Sequence, residues 1–163
     1  MDSERKKKRY MRLCQQIKEL LNKPGDRQAR MATVIAVLHH KVDYFFWTGF
    51  YTLRSGELMV GPYQGPVACQ VLARHKGVCW TAVNHCQTVI VEDVHLFPDH
   101  IACDSRSRSE IVVPLFDASG VLYGVLDVDS TAVRSFDEID REWLEKIVRM
   151  IDPPQETALS MIL

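Results

Sequence analysis

The sequence predicts an α+β domain, an antiparallel β-sheet with N- and C-terminal helices packed on it. Apolar residues recur at helical spacing near both ends of the chain, and the β-favouring runs between them come as hairpins joined by short Gly- and Ser-bearing turns. Leu13, Ile17, Leu20 and Leu21 share one helical face over roughly residues 3–21, a run that Pro24-Gly25 ends. Asp26 is placed to cap a second helix that turns Met31, Val34, Ile35 and Leu38 inward. The aromatic run from Tyr44 to Leu53 reads as a strand, joined through Arg54-Ser-Gly-Glu57 to a second strand at Leu58–Val60. A short helix over 77–85 and a strand over 88–91 follow, then a long loop from Asp93 to Arg108. Ile111–Phe116 and Val121–Asp129 form a second hairpin about Ala118-Ser-Gly120. Ser135 and Glu138 stand in capping-box relation and open a final helix with Phe136, Ile139, Trp143, Leu144, Ile147 and Ile151 on one stripe. Pro153-Pro154 closes it, leaving residues 152–163 as a C-terminal tail.

With 163 residues, one domain over 1–163 is the expectation, large enough to bury a core. A net charge of −1 gives no general attraction to nucleic acid or to a membrane surface. No apolar run approaches the length of about 18 residues that spans a bilayer, and the first ten residues lack the apolar centre of a signal peptide. A cytoplasmic location follows as an expectation. Five cysteines at irregular spacings are then more consistent with reduced or catalytic thiols than with a disulfide framework. The basic run Arg5–Arg9 reads as the solvated face of the first helix.

Two thiols lie in unusual settings. Cys69 ends the Gly- and Pro-rich stretch that starts at Gly61, and Cys103 sits among the hydroxyls, guanidinium groups and carboxylates of residues 104–110. Cationic or hydrogen-bonding surroundings stabilise a thiolate, so this is a setting for thiol redox chemistry. Asp127 and Asp129 are two apart on one strand and share a face, roughly 7 Å apart along it. Either they face solvent where the strand ends or they bind something cationic.

Seven motifs, in order, resemble the free methionine-(R)-sulfoxide reductases, a family of single GAF-type domains. They are Trp47-Thr-Gly-Phe-Tyr51, Gly61-Pro-Tyr-Gln-Gly-Pro-Val-Ala-Cys69, Gly77-Val-Cys79, Glu92-Asp-Val-His95, His100-Ile-Ala-Cys103-Asp, Ser109-Glu-Ile-Val-Val-Pro114 and Gly124-Val-Leu-Asp-Val-Asp-Ser130. The motif-bearing core covers about residues 44–130. The resemblance implies a GAF-like fold and a reductase that takes free L-methionine-(R)-sulfoxide. It makes Cys103 the nucleophile and Cys69 the thiol that resolves the resulting sulfenic acid into a Cys69–Cys103 disulfide, with Cys79 as a secondary or alternative resolver. It places Glu110, Asp127 and Asp129 in the substrate pocket and Trp47 on its wall, and the backbone around Ile101 and Ala102 against the sulfoxide oxygen or substrate carboxylate. No cofactor or metal is implied. Thioredoxin or a similar dithiol is the implied external reductant, and a homodimer through the terminal helices is allowed.

The same residues admit plainer readings. Trp47 suits a core and Cys79 a buried inert thiol, while Cys14 and Cys86 have no family counterpart and read as structural. His95 and His100 either order the Cys103 loop or face solvent, and Arg106 and Arg108 either assist the thiolate or are solvated. The segment Gln70–Lys76 and Trp80 depart from the family pattern in the loop that carries Cys69. One rival is a GAF-type sensor that binds a small molecule without turning it over. Another is a zinc site drawn from His75, Cys79, His85, Cys86, His95, His100 and Cys103, which lack the short paired spacings of such sites.

Overall fold

A computed structural model describes residues 2–100 and 103–153. Ile101 and Ala102, two of the expected site residues, lie outside the described residues, as does all but the start of the expected tail. Helix α1 (Ser3–Leu21) and helix α2 (Arg27–Lys41) match the periodicity, and the Asp26 side chain accepts from the Ala29 N–H as an N-cap should. Strands β1 (Trp47–Arg54) and β2 (Glu57–Gln64) pair antiparallel, with β2 running four residues further than the sequence indicates. Tyr44–Phe46 are not strand: a turn closed by Phe45 N–H donating to the Val42 carbonyl holds them, and Tyr44 and Phe45 pack on Phe136 instead. A two-residue strand β3 (Val71–Leu72) went unrecognised because Val71-Leu72 is too short to show a period. Helix α3 (Gly77–His85), strand β4 (Val89–Val91) and the hairpin of β5 (Ser109–Phe116) and β6 (Leu122–Ser130) fall where expected.

All six strands form one antiparallel sheet in the order β3-β2-β1-β6-β5-β4. Alternation along the strands divides two cores between its faces. Phe50, Ile111, Val113, Leu126 and Val128 meet α1, α2 and helix α4 (Glu138–Arg149) on one face. Trp47, Tyr51, Leu58, Val112 and Val125 meet α3 and the loops on the other. The terminal helices therefore buttress one face, and the candidate site residues collect on the opposite one. Among the described residues no helix is long and apolar enough to cross a membrane.

Two local expectations are corrected. The capping box of α4 is Asp137 with Asp140, not Ser135 with Glu138: Asp137 accepts from the Ile139 and Asp140 N–H groups, and Asp140 accepts from the Asp137 N–H at 2.7 Å. Ser135 is occupied by the preceding turn, its hydroxyl donating to the Ala132 carbonyl and lying within hydrogen-bond distance of Ser130 Oγ. The basic run is also not uniformly solvated. Lys6 is buried, bonded to Asp140 and 2.8 Å from Asp137, and Asp140 further accepts from Tyr10 and Tyr44 at 2.7 and 2.5 Å. This network joins α1 to the start of α4. Lys6→Ala would leave Asp140 buried without its cation, so we expect a loss of about 3–5 kcal/mol in denaturant unfolding, with activity below the transition unchanged.

Candidate active site

The register of the sheet assembles the site. Asp129 on β6 lies opposite Trp47 of β1 on one side and Glu110 of β5 on the other, so three candidate site residues stand abreast on one face. Asp127, two residues earlier, lies opposite Gly49 and Val112. Gly49 is needed there, because a Cβ would come 2.3 Å from the Trp47 ring and 2.5 Å from Tyr63 Cβ. The indole thus lies across the strand, stacked between Tyr51 and Tyr63 with ring centroids 5.8 and 5.4 Å away, and its N–H donates to the Pro66 carbonyl at 3.1 Å.

Two loops close over this face. The segment after β2 carries Cys69, whose carbonyl accepts from the Tyr51 hydroxyl at 3.1 Å. The segment after β4 carries Cys103. Their sulfurs are joined in a disulfide with the Cα atoms 5.6 Å apart. Beneath lies a pocket lined by Trp47, Tyr51, Cys79, His100, Cys103, Glu110, Asp127 and Asp129, with Lys76 and Ser107 at its sides. Every expected site residue among the described ones lines this pocket except Cys69, which bridges to it through Cys103.

Glu110 and Asp127 are 6% and 7% exposed, so Asp127 does not face solvent, while Asp129 is half-buried. Burial, then the neighbouring carboxyls, pushes the Glu110 pKa well up; burial and then Asp129 do the same to Asp127. Asp129, half-buried at the edge, is pushed up to about 7 by burial, with Ser107 opposing through a hydrogen bond. Cys79 is 4% exposed, and its sulfur and one oxygen each of Glu110 and Asp127 lie within 4.8 Å of one another. Burial first, then Asp127 and Glu110, holds it as the thiol. One oxygen of Asp127 is buried with no hydrogen-bond partner.

The loop residues around Cys103 resolve several open readings. Arg106 is engaged by Asp104 at 2.8 Å, which holds that carboxyl down at about 2, and lies over Phe46; Arg108 reaches towards Asp93 at 3.8 Å. The Arg106 guanidinium is therefore committed to another partner, while Arg108 is partly exposed with this one long contact. His100 lines the pocket 3.8 Å from Glu110, with burial lowering its pKa, whereas His95 is exposed. Sequence reasoning missed Tyr51, Lys76 and Ser107. Tyr51 falls two positions after Gly49 on the Trp47 face and was findable by period-2 alternation; the other two carry no sequence signal. Asp129 also makes stability pH-dependent. Its folded pKa lies above the ordinary 3.8, so between those values the folded state holds more protons than the unfolded one, and stability falls as pH rises to about 7. Thermal unfolding should occur higher at about pH 5 than at about pH 8, and Asp129→Asn should shrink that difference by about 2–3 kcal/mol.

A sheet of this order, with helices on one face and a disulfide-bridged acidic pocket on the other, is the architecture of a GAF domain. The GAF domain family model matches residues 28–151. GAF domain-containing protein A of Dictyostelium discoideum is 45% identical over 90% of this chain and 92% of its own. The free methionine-R-sulfoxide reductase of Escherichia coli is 41% identical over 76% of this chain and 74% of its own. The crystal structure of the free methionine-R-sulfoxide reductase from Neisseria meningitidis in complex with its substrate superposes with a TM-score of 0.84 at 42% identity, covering 88% of this chain and 86% of that one. This chain belongs to the free methionine-R-sulfoxide reductase family of GAF domains and is an oxidoreductase.

Proposed function

We propose that this domain, one unit over residues 1–163, reduces free L-methionine-(R)-sulfoxide to methionine. The observation that supports it most is the Cys69–Cys103 disulfide at the mouth of a pocket floored by buried, proton-holding acids. In the reduced protein the Cys103 thiolate attacks the sulfoxide sulfur while a neutral carboxylic acid protonates the oxygen. The resulting adduct holds both the hydroxyl and the Cys103 sulfur on the substrate sulfur. The hydroxyl then passes to the Cys103 sulfur as the S–O and S–S bonds at the substrate break, so methionine leaves and Cys103 is left as a sulfenic acid. Cys69 then attacks the Cys103 sulfur, releasing the oxygen as water and forming the disulfide. Two thiols thus supply the two electrons of each turnover. Cys79, held as a buried thiol, is left in reserve as an alternative resolver.

The roles of the acids follow from depth. Glu110 and Asp127, the more buried pair, hold the proton for the oxygen, and Asp129 at the edge pairs with the substrate ammonium. Trp47 offers its face to the substrate methyl and the polarised sulfur. The α3 N-terminus, which has no side-chain cap and no acid in its first turn, points N–H groups and Lys76 to the carboxylate. Gly49→Ala would push the indole aside, raising KM for the sulfoxide about tenfold with kcat little changed, as steady-state kinetics would show.

Recycling of the disulfide by thioredoxin or a similar dithiol, in the reducing cytoplasm, completes the proposal. A homodimer through the terminal helices would cover the exposed Met11 of α1, which size-exclusion chromatography with light scattering tests. The test of activity is turnover with thioredoxin and its reductase on four substrates: R and S epimers, each free and within a tripeptide. Turnover of the free R epimer alone is expected. Binding of that epimer without turnover would make the pocket a sensor, and turnover of peptide substrates would move the substrate class.

A further inference from the structure

The absence of short-spaced ligand pairs leads sequence reasoning to expect no metal site, but three separate elements bring one set of donors together. Cys79 enters from α3, Glu110 from β5 and Asp127 from β6, and one donor atom of each lies within 4.8 Å of the others. All three are more than nine-tenths buried, and an oxygen of Asp127 has no hydrogen-bond partner. A thiolate with two carboxylates suits a borderline-soft divalent cation rather than magnesium or calcium, which take oxygen ligands. Zinc bonds of about 2.3 Å to sulfur and 2.0–2.2 Å to oxygen ask each donor to move by less than about 1 Å. The fourth position opens on the pocket that also holds Trp47 and Cys103.

We propose that Cys79, Glu110 and Asp127 form a three-ligand site for zinc or a similar thiophilic divalent cation in the reduced protein, and that the ion and the sulfoxide substrate exclude each other. The ion replaces the proton of the Cys79 thiol and those of the carboxyls, which pass to solvent. Occupancy removes both the proton donors and the space that the substrate requires. The site itself rests on geometry alone; the competition with sulfoxide rests on the proposed function.

Cadmium titration reads the site without turnover, through the thiolate-to-metal charge-transfer absorption. In a chain carrying Cys14→Ser, Cys69→Ser, Cys86→Ser and Cys103→Ser, Cys79 is the remaining thiol. One equivalent of cadmium should produce the band, zinc should displace it, and free methionine-R-sulfoxide should weaken cadmium binding in proportion to its concentration. Glu110→Gln in that background should weaken binding at least about tenfold, with circular dichroism confirming the fold. A fold-intact chain with no stoichiometric band, or one whose affinity ignores Glu110→Gln, overturns the site. A band that sulfoxide leaves unchanged overturns the mutual exclusion. If the unsubstituted chain reduces sulfoxide but this chain shows no band, the inference falls alone; a band in a protein without reductase activity leaves the metal site standing and the proposed function not.

Discussion

Cys103→Ser is expected to reduce sulfoxide turnover to background, a loss of about 10⁵–10⁶-fold in kcat, while the affinity for methionine-R-sulfoxide changes by less than about threefold. The split follows from where the residue sits. Cys103 is on a loop over the pocket, whereas the surfaces proposed to hold the substrate belong to β1, β5, β6 and the start of α3. Replacing its sulfur removes the attacking atom and leaves those elements in register. Cys69→Ser gives the complementary result: one methionine per chain in a fast burst, then only the slow turnover that buried Cys79 can support, with the Cys103 sulfenic acid accumulating for dimedone to trap. Isothermal titration for affinity, a burst assay for stoichiometry and mass spectrometry for the adduct check all three statements. Full activity in Cys103→Ser with arrest in Cys79→Ser would exchange the roles of the two residues.

Glu110→Gln should lower kcat by about 10²–10⁴-fold. The amide keeps the size and a hydrogen-bond donor but has no proton to give to the departing oxygen. Glu110 is suited to that step because burial and two carboxyl neighbours keep it neutral where an exposed glutamate is ionised. An acid that must be protonated gives a rate that is high below its apparent pKa and falls above it. Since the three acids titrate together, the falling limb belongs to the cluster, with Asp129 at about 7 marking its lower edge. Single-turnover rates across pH should show that limb in the unsubstituted protein and lose it in Glu110→Gln. An unchanged limb in that variant would assign the proton to another group.

The sequence revealed what depends on neighbours along the chain. Asp26 as a cap, α3 between Gly77 and His85, and the hairpin turned at Ala118–Gly120 each rest on residues within one or two turns of each other. Asp127 and Asp129 sharing a face is likewise fixed by the two-residue period. What lay hidden depends on register and packing. Nothing local says that Glu110 stands beside Asp129, or that Cys79 reaches both Glu110 and Asp127, because that requires β5, β6 and α3 in place. Lys6 shows the same limit: within Arg5–Arg9 it looks like its neighbours, and only its reach to Asp140, across most of the chain, takes it out of solvent. The cap of α4 was misplaced by two residues because Ser135 fits the pattern but is held by the turn that precedes it. The family motifs supplied the roles of Cys69 and Cys103, which no periodicity assigns.

The most direct test of the account is a single turnover of the reduced protein with free methionine-R-sulfoxide and no external reductant, counting thiols lost and methionine formed and mapping the product disulfide. The account predicts two thiols lost per methionine, all in a Cys69–Cys103 bridge, with the S epimer inert. Bound R-sulfoxide with every thiol intact, or a bridge that runs to Cys79 in place of Cys69, would contradict it.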